Sequence, residues 1–151
     1  MVRPEWPFRG HCLCRAVAIT LRAVAGPLVY CHCGQCRKTA GSAFIAVVPA
    51  HRADVTIADP QHCARAYRAS PDKARWFCGR CGAALWSERD GLAQLRIRAG
   101  LFDSLAGMGH AGHIYVAARA PWDELTDDLP RYAALEPGRA AAANDLRGDP
   151  S

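Results

Sequence analysis

The chain has 151 residues, half of them apolar and about a fifth charged, which suits one domain with a real core and excludes two large domains or a disordered, low-complexity chain. The net charge of +5 rests almost wholly on arginine, because Lys38 and Lys73 are the only lysines; this hints at anionic partners and no more. Eight cysteines are too many for an ordinary reduced-compartment protein unless a metal or disulfides use them.

In chain order, residues 1–10 lack the apolar run of a secretory signal. No stretch of about 18 apolar residues predicts a transmembrane helix. The chain is therefore expected to be soluble and cytoplasmic, where thiols stay reduced. From Cys14 to Val24 a period of two sets Val17, Ile19 and Leu21 on one face, the pattern of a half-buried strand. Short strand-like runs follow at Leu28 to Tyr30, Ala43 to Val48, Val55 to Ile57, Ala64 to Arg68, Ala84 to Ser87, Leu95 to Leu101 and His113 to Ala117, separated by turn residues such as Gly26-Pro27, Asp59-Pro60 and Asp90-Gly91. Pro121-Trp122-Asp123-Glu124 has the composition of a helix start. The alanine-rich run Arg139 to Asn144 is helix-prone but has no apolar stripe to dock. The expected fold is mostly β: one small zinc-stapled domain over residues 1–135, built from several short antiparallel sheets with few or short helices, followed by a loosely attached tail over 136–151.

The cysteines fall into three groups. Cys12 and Cys14 are two apart where the first strand begins, so both thiols can point to one side. Cys78 and Cys81 form a Cys-x-x-Cys turn in which Gly79 and Gly82 permit a tight backbone. These four suffice for a closed tetrahedral zinc site, which would staple the first strand to a distant hairpin. Cys31, Cys33 and Cys36 offer three thiolates in six residues, one short of a closed shell, the usual mark of a metal that keeps a position for water or substrate. Disulfides and an iron–sulfur cluster are the alternatives, but a Cys-x-Cys bridge is strained. Cys63 reads most simply as a small buried hydrophobe, with a fourth ligand or reactive thiol as the other reading. His11 and His32 alternate faces with their cysteine neighbours, which favours a place behind the ligands or in solvent over ligation. His113 fits a site residue or a strand-end histidine equally well. There is no Gly-x-Gly-x-x-Gly fingerprint for a nicotinamide cofactor.

The order Gly10-His11-Cys12-Leu13-Cys14-Arg15, then Cys31-His32-Cys33-Gly34-Gln35-Cys36-Arg37-Lys38, then Phe77-Cys78-Gly79-Arg80-Cys81-Gly82 resembles the glutathione-dependent formaldehyde-activating enzyme family, which includes centromere protein V. Tyr67, Gly100-Leu101-Phe102-Asp103, His113-Ile114, Ala120-Pro121-Trp122 and Leu129-Pro130-Arg131-Tyr132 agree with it, so the resemblance spans residues 9–132. Cys63 and Ala83-Ala84 depart from the family's pattern. The resemblance implies a zinc-bearing β fold like that of Mss4. It implies two zinc ions: a structural one on Cys12, Cys14, Cys78 and Cys81, and a functional one on Cys31, Cys33 and Cys36. It also implies a carbon–sulfur lyase that joins glutathione, or a related thiol, to formaldehyde or another small aldehyde. The competing reading is a binding module that captures thiols or peptides at the three-cysteine zinc without turnover. Glutathione carries two carboxylates, which arginine grips well. Arg37, Lys38, Thr39 and Ser42, which directly follow the third cysteine group, are the candidates to hold them, with solvated loop charges as the bland alternative for Arg37 and Lys38. The basic residues are scattered along the sequence without interleaved aromatics, so neither nucleic acid nor membrane is expected as a partner.

Overall fold

The computed structural model describes residues 2–137. Its order is β1 (Phe8–His11), β2 (Ala18–Leu21), β3 (Leu28–Cys31), α1 (Gly34–Ala40), β4 (Ile45–His51), β5 (Val55–Ala58), β6 (Ala64–Ser70), β7 (Lys73–Cys78), β8 (Ala84–Arg89), β9 (Gln94–Arg98) and β10 (His110–Ile114). The protein is mostly β, as its composition of short alternating runs predicts. Among the described residues no helix is long and apolar enough to cross a membrane. The helix-prone run at 139–144 lies outside the described residues. Contacts group the chain into two compact units, Met1–Leu28 with Val47–Gly109, and Val29–Ala46 with His110–Ser151.

In the first unit β1, β2 and β5 form an antiparallel sheet in which Gly10 faces Ile19 and Ile19 faces Ile57. The predicted face is buried: Val17, Ile19 and Leu21 are at most 1% exposed. The strand itself starts only at Ala18, later than its hydrophobic pattern, because residues 12–17 are a tight loop. The Cys12 amide donates to Val17 O (2.9 Å), the Arg15 amide to Cys12 O (2.9 Å), and Arg15 is left-handed at φ 66°. A second, antiparallel run of strands has the order β4-β9-β8-β7-β6. Its inner face supplies Val48, Ala50, Leu85, Trp86, Leu95 and Ile97 to one cluster with Phe8, Ile19 and Leu21. Each Val, Leu, Ile or Phe side chain of this cluster taken from water stabilises the fold by roughly 1.5–3 kcal/mol.

Strands β1 and β7 are not evident in the sequence. The first has four residues, one of them glycine, and the second buries Arg75 although it lies on the face opposite the apolar Ala74, Trp76 and Cys78. Arginines dispersed in the chain are gathered by register: Arg75 faces Ser87 and Ser87 faces Arg96, with Arg65, Arg89 and Arg98 two residues away on the same face. β1 approaches the chain at residues 101–102, where Gly10 bridges Phe102. A Cβ at Gly10 would stand 2.7 Å from Leu101 O and 2.9 Å from the Phe102 ring. Gly10→Ala should therefore cost about 1–3 kcal/mol by overpacking, read as a lowered urea midpoint with an unchanged m-value; an unchanged midpoint would show that this contact yields freely.

In the second unit β10 lies beside β3. Leu28 N donates to Gly109 O (2.9 Å) and His32 N to Ile114 O (3.0 Å), so the two strands run the same way, a departure from an all-antiparallel expectation. Val29, Ile45, Ile114 and Ala120 are buried here, together with two polar rings, His32 and His113. Helix α1 stands where the sequence reads as a loop. Gln35, Arg37, Lys38 and Ala40 are good helix formers, but seven residues are too few to hold a helix alone, and its ends support it: the Cys33 thiol accepts from the Cys36 amide (3.4 Å), and left-handed Gly41 returns its amide to Arg37 O (2.8 Å). Where the sequence suggests a short helical turn opened by Pro121, a turn stands, closed by the Asp123 amide on Ala120 O (3.1 Å).

Candidate metal centres

The loop of residues 12–17 and the end of β7 bring four thiols together in the first unit. The Sγ atoms of Cys12, Cys14, Cys78 and Cys81 all lie within 4.8 Å of one another, with Cys12 to Cys14 at 3.6 Å and Cys14 to Cys78 at 3.8 Å. Tetrahedral zinc with sulfur at 2.3 Å sets its ligands about 3.8 Å apart, so the group matches a zinc cage. The turn is built for it: Gly82 sits at φ 78° and gives its amide to Cys78 O (2.7 Å), Cys78 N donates to Ala83 O (2.8 Å), and Val17 N points at Cys12 Sγ (3.3 Å).

In the second unit the Sγ atoms of Cys31, Cys33 and Cys36 also lie within 4.8 Å of one another, and all three residues are buried. Cys31 and Cys33 share a face by alternation at the end of β3, and the first turn of α1 swings Cys36 to meet them.

The protonation energetics show why both groups suit a cation. Hydrogen bonds with Cys33 and Cys36, then burial, push Cys31 well above the ordinary thiol range. At Cys33 the hydrogen bond with Cys31 lowers the value, but Cys36 and burial outweigh it, and the thiol rises to about 11. In the four-thiol group the Ala16 amide lowers Cys14 but burial and the other three thiols push it up to about 11. Burial raises Cys81, yet the Ala83 and Cys14 amides and its thiol neighbours bring it to about 6. Crowded thiols cannot all ionise together; a divalent ion removes that penalty by binding them as thiolates.

The other predicted residues fall out as follows. His11 turns its Nδ1 to Cys12 O (2.8 Å), away from the thiols. Cys63 is half-buried against the core, with its amide on Asp59 Oδ1 (2.7 Å) and its carbonyl accepting from Gly79 N (2.7 Å); its sulfur is not in the four-thiol group. The Ala64 and Cys63 amides hold the Asp59 carboxyl below its ordinary range. Arg37 and Lys38 lie in the last turn of α1, Lys38 exposed and Arg37 half-buried with its Nε enclosed and without a hydrogen-bond partner. Thr39 gives its hydroxyl proton to Gln35 O (2.7 Å) and Ser42 gives its own to Phe44 O (2.8 Å), so both oxygens are left as acceptors.

Sequence reasoning misses two carboxylates. His32 is fully buried, with Nε2 2.8 Å from His113 Nδ1 and Nδ1 3.6 Å from Asp123 Oδ2. His113 Nε2 meets both oxygens of Asp127 at 3.1 and 3.0 Å. Burial, then the charge of His113, pulls His32 below the usual histidine range. The His113 hydrogen bond, then the Leu129 amide, lowers Asp127, and burial followed by the charge of Asp127 raises Tyr30. Nothing in sequence spacing joins His32 to His113, 81 residues on; the only local hint is the acid-rich segment 123–128.

The comparisons with known proteins agree with this geometry. The family model described as "Glutathione-dependent formaldehyde-activating enzyme" matches residues 7–118. No curated protein matches the chain. Among solved structures, a crystal structure of a Rhodobacter sphaeroides protein is similar in fold, with a TM-score of 0.54 at 19% identity over 64% of this chain and 88% of that one. With a match over most of its length and two thiol clusters able to hold metal, the chain belongs to the glutathione-dependent formaldehyde-activating enzyme family.

Proposed function

We propose that the protein is a zinc-dependent carbon–sulfur lyase that joins glutathione, or a related thiol, to formaldehyde or another small aldehyde. The observation that carries this reading is the incomplete cluster, Cys31, Cys33 and Cys36, which is buried and one ligand short while a complete four-thiol group stands elsewhere. Bound zinc at the three-cysteine centre would supply the positive charge that keeps an incoming thiol ionised. In the reaction the sulfur lone pair forms an S–C bond to the carbonyl carbon, the C=O π pair moves to oxygen, and that oxygen takes up a proton. No electrons leave the substrates, so no redox cofactor is needed.

Cys31, Cys33 and Cys36 would hold the functional ion, and Cys12, Cys14, Cys78 and Cys81 the structural one. Arg37 is a candidate for a thiol substrate's carboxylate, because it directly follows Cys36 and a guanidinium–carboxylate pair supplies about 1.5–3 kcal/mol. Lys38 would add charge from the exposed side of the same turn. The Thr39 and Ser42 hydroxyls would serve by accepting from the substrate's amide or ammonium hydrogens, since their own protons are engaged.

The test is formaldehyde consumption at fixed glutathione with and without the protein. Acceleration that saturates in glutathione supports the lyase; thiol binding with no acceleration identifies the binding module instead. In the same assay Arg37→Ala should raise KM for the thiol about tenfold or more with a smaller change in kcat, as loss of a binding contact requires. An unchanged KM would remove Arg37 from the site.

A further inference from the structure

The segment that carries Cys31 and Cys33 is gripped from its other side. His32 alternates with the two cysteines to the opposite face, where its ring lies against those of Phe44 and His113, with centroids 5.2 and 5.0 Å away. The lowered Asp127 is a carboxylate, which only accepts, so His113 donates from Nε2. His113 Nδ1 and His32 Nε2 share the next hydrogen bond at 2.8 Å, and Asp123 Oδ2 stands 3.6 Å from the other ring nitrogen of His32, Nδ1. The chain Asp127, His113, His32 thus fixes the tilt of the His32 ring. It is tied to the backbone at each member: His113 N donates to Pro130 O (2.8 Å), Tyr132 N to His113 O (2.8 Å), His32 N to Ile114 O (3.0 Å), and Leu129 N to Asp127 Oδ1 (3.0 Å).

Side chains at successive positions of an extended strand rotate together, because they share the backbone between them. Freeing the His32 ring therefore lets the thiols of Cys31 and Cys33 roll off their common face. We propose that His113 and Asp127 are positioning residues for the three-cysteine centre, acting through His32 to hold the Cys31 and Cys33 thiols where they can share one ion with Cys36. This rests on the reading of that group as a metal centre but needs nothing of its thiol or aldehyde.

Cobalt(II) titration of the full-length protein in the presence of a competing chelator tests it, with thiolate charge-transfer and d–d absorption read for each equivalent. The wild type should bind two ions. Asp127 is 45% exposed, so its variants spare the core. Asp127→Ala should weaken one of the two ions about tenfold and alter its d–d band, in line with the effect of removing an outer partner of a metal site. Asp127→Asn, which keeps an oxygen to accept from His113, should restore most of the affinity. His113→Leu should weaken the same ion at least as much. Wild-type affinity and spectrum in Asp127→Ala, equal weakening of both ions, or an asparagine variant no better than alanine would each overturn the proposal. A wild type that binds only one ion removes the metal reading of the three-cysteine group together with the proposal, which separates that failure from the others.

Discussion

Cys78→Ala should leave the protein unfolded or aggregated, whereas Cys33→Ala should keep most of the fold and lose the thiol chemistry. Both residues are buried cysteines in thiol clusters, so the contrast comes from what each cluster ties together. Cys78 ends β7, and its cluster joins a loop at residues 12–17 to a turn more than sixty residues later. The binding free energy of a structural zinc, roughly 10–16 kcal/mol in small zinc domains, is folding free energy. That is as large as the whole net stability of about 5–15 kcal/mol expected of a domain. The three-cysteine cluster spans only six residues, and closing so short a loop contributes little. Circular dichroism melts of the two variants, with metal content by mass spectrometry, check the expectation: one ion and a near-native melt for Cys33→Ala, no cooperative melt for Cys78→Ala. Equal losses in both variants would refute separate structural and functional roles.

Gly112→Ala should be the most damaging single methyl group in the second unit. Gly112 lies in β10 at φ 121°, a region closed to side chains, and a Cβ there would stand 2.2 Å from Pro130 O and 3.0 Å from Pro130 C. No side chain can swing aside, since the obstacle is backbone. Relief requires moving residues 130–132 away from β10, which breaks the His113 N to Pro130 O and Tyr132 N to His113 O hydrogen bonds. Strain of about 1–3 kcal/mol and overpacking of similar size combine, and the displaced segment carries the neighbouring Asp127 with it. The expected result is a loss of about 3 kcal/mol or more in urea unfolding, accompanied by weakened metal binding at Cys31, Cys33 and Cys36. A variant of wild-type stability would show that the close approach of Pro130 is dispensable.

These outcomes bear on different kinds of information in the chain. The thiol clusters are legible because metal chemistry imposes short spacings: Cys-x-Cys on an extended segment and Cys-x-x-Cys in a turn each aim two sulfurs at one point whatever the rest of the fold does. The buried face of Val17, Ile19 and Leu21 is legible for a similar reason, since a period of two survives any packing partner. Strand β7 escapes because its burial does not alternate: Ala74 and Arg75, on opposite faces, are both buried, while Phe77 is exposed. Helix α1 escapes because it is only seven residues long and relies on capping by the Cys33 thiol and Gly41 at its ends.

Eight cysteines raised the question of their use, and local spacing alone answers it: three groups of metal-binding type and one residue, Cys63, left over. Which groups share an ion is a matter of distance in space, and the fold places Cys12 and Cys14 with Cys78 and Cys81 while Cys31, Cys33 and Cys36 stand together. The support behind the open cluster is wholly a product of tertiary structure. His113 and Asp127 reach His32 across 81 and 95 residues of chain, and hydrogen bonds of that range leave no periodicity behind, because only the folded backbone brings their donors and acceptors to 3 Å.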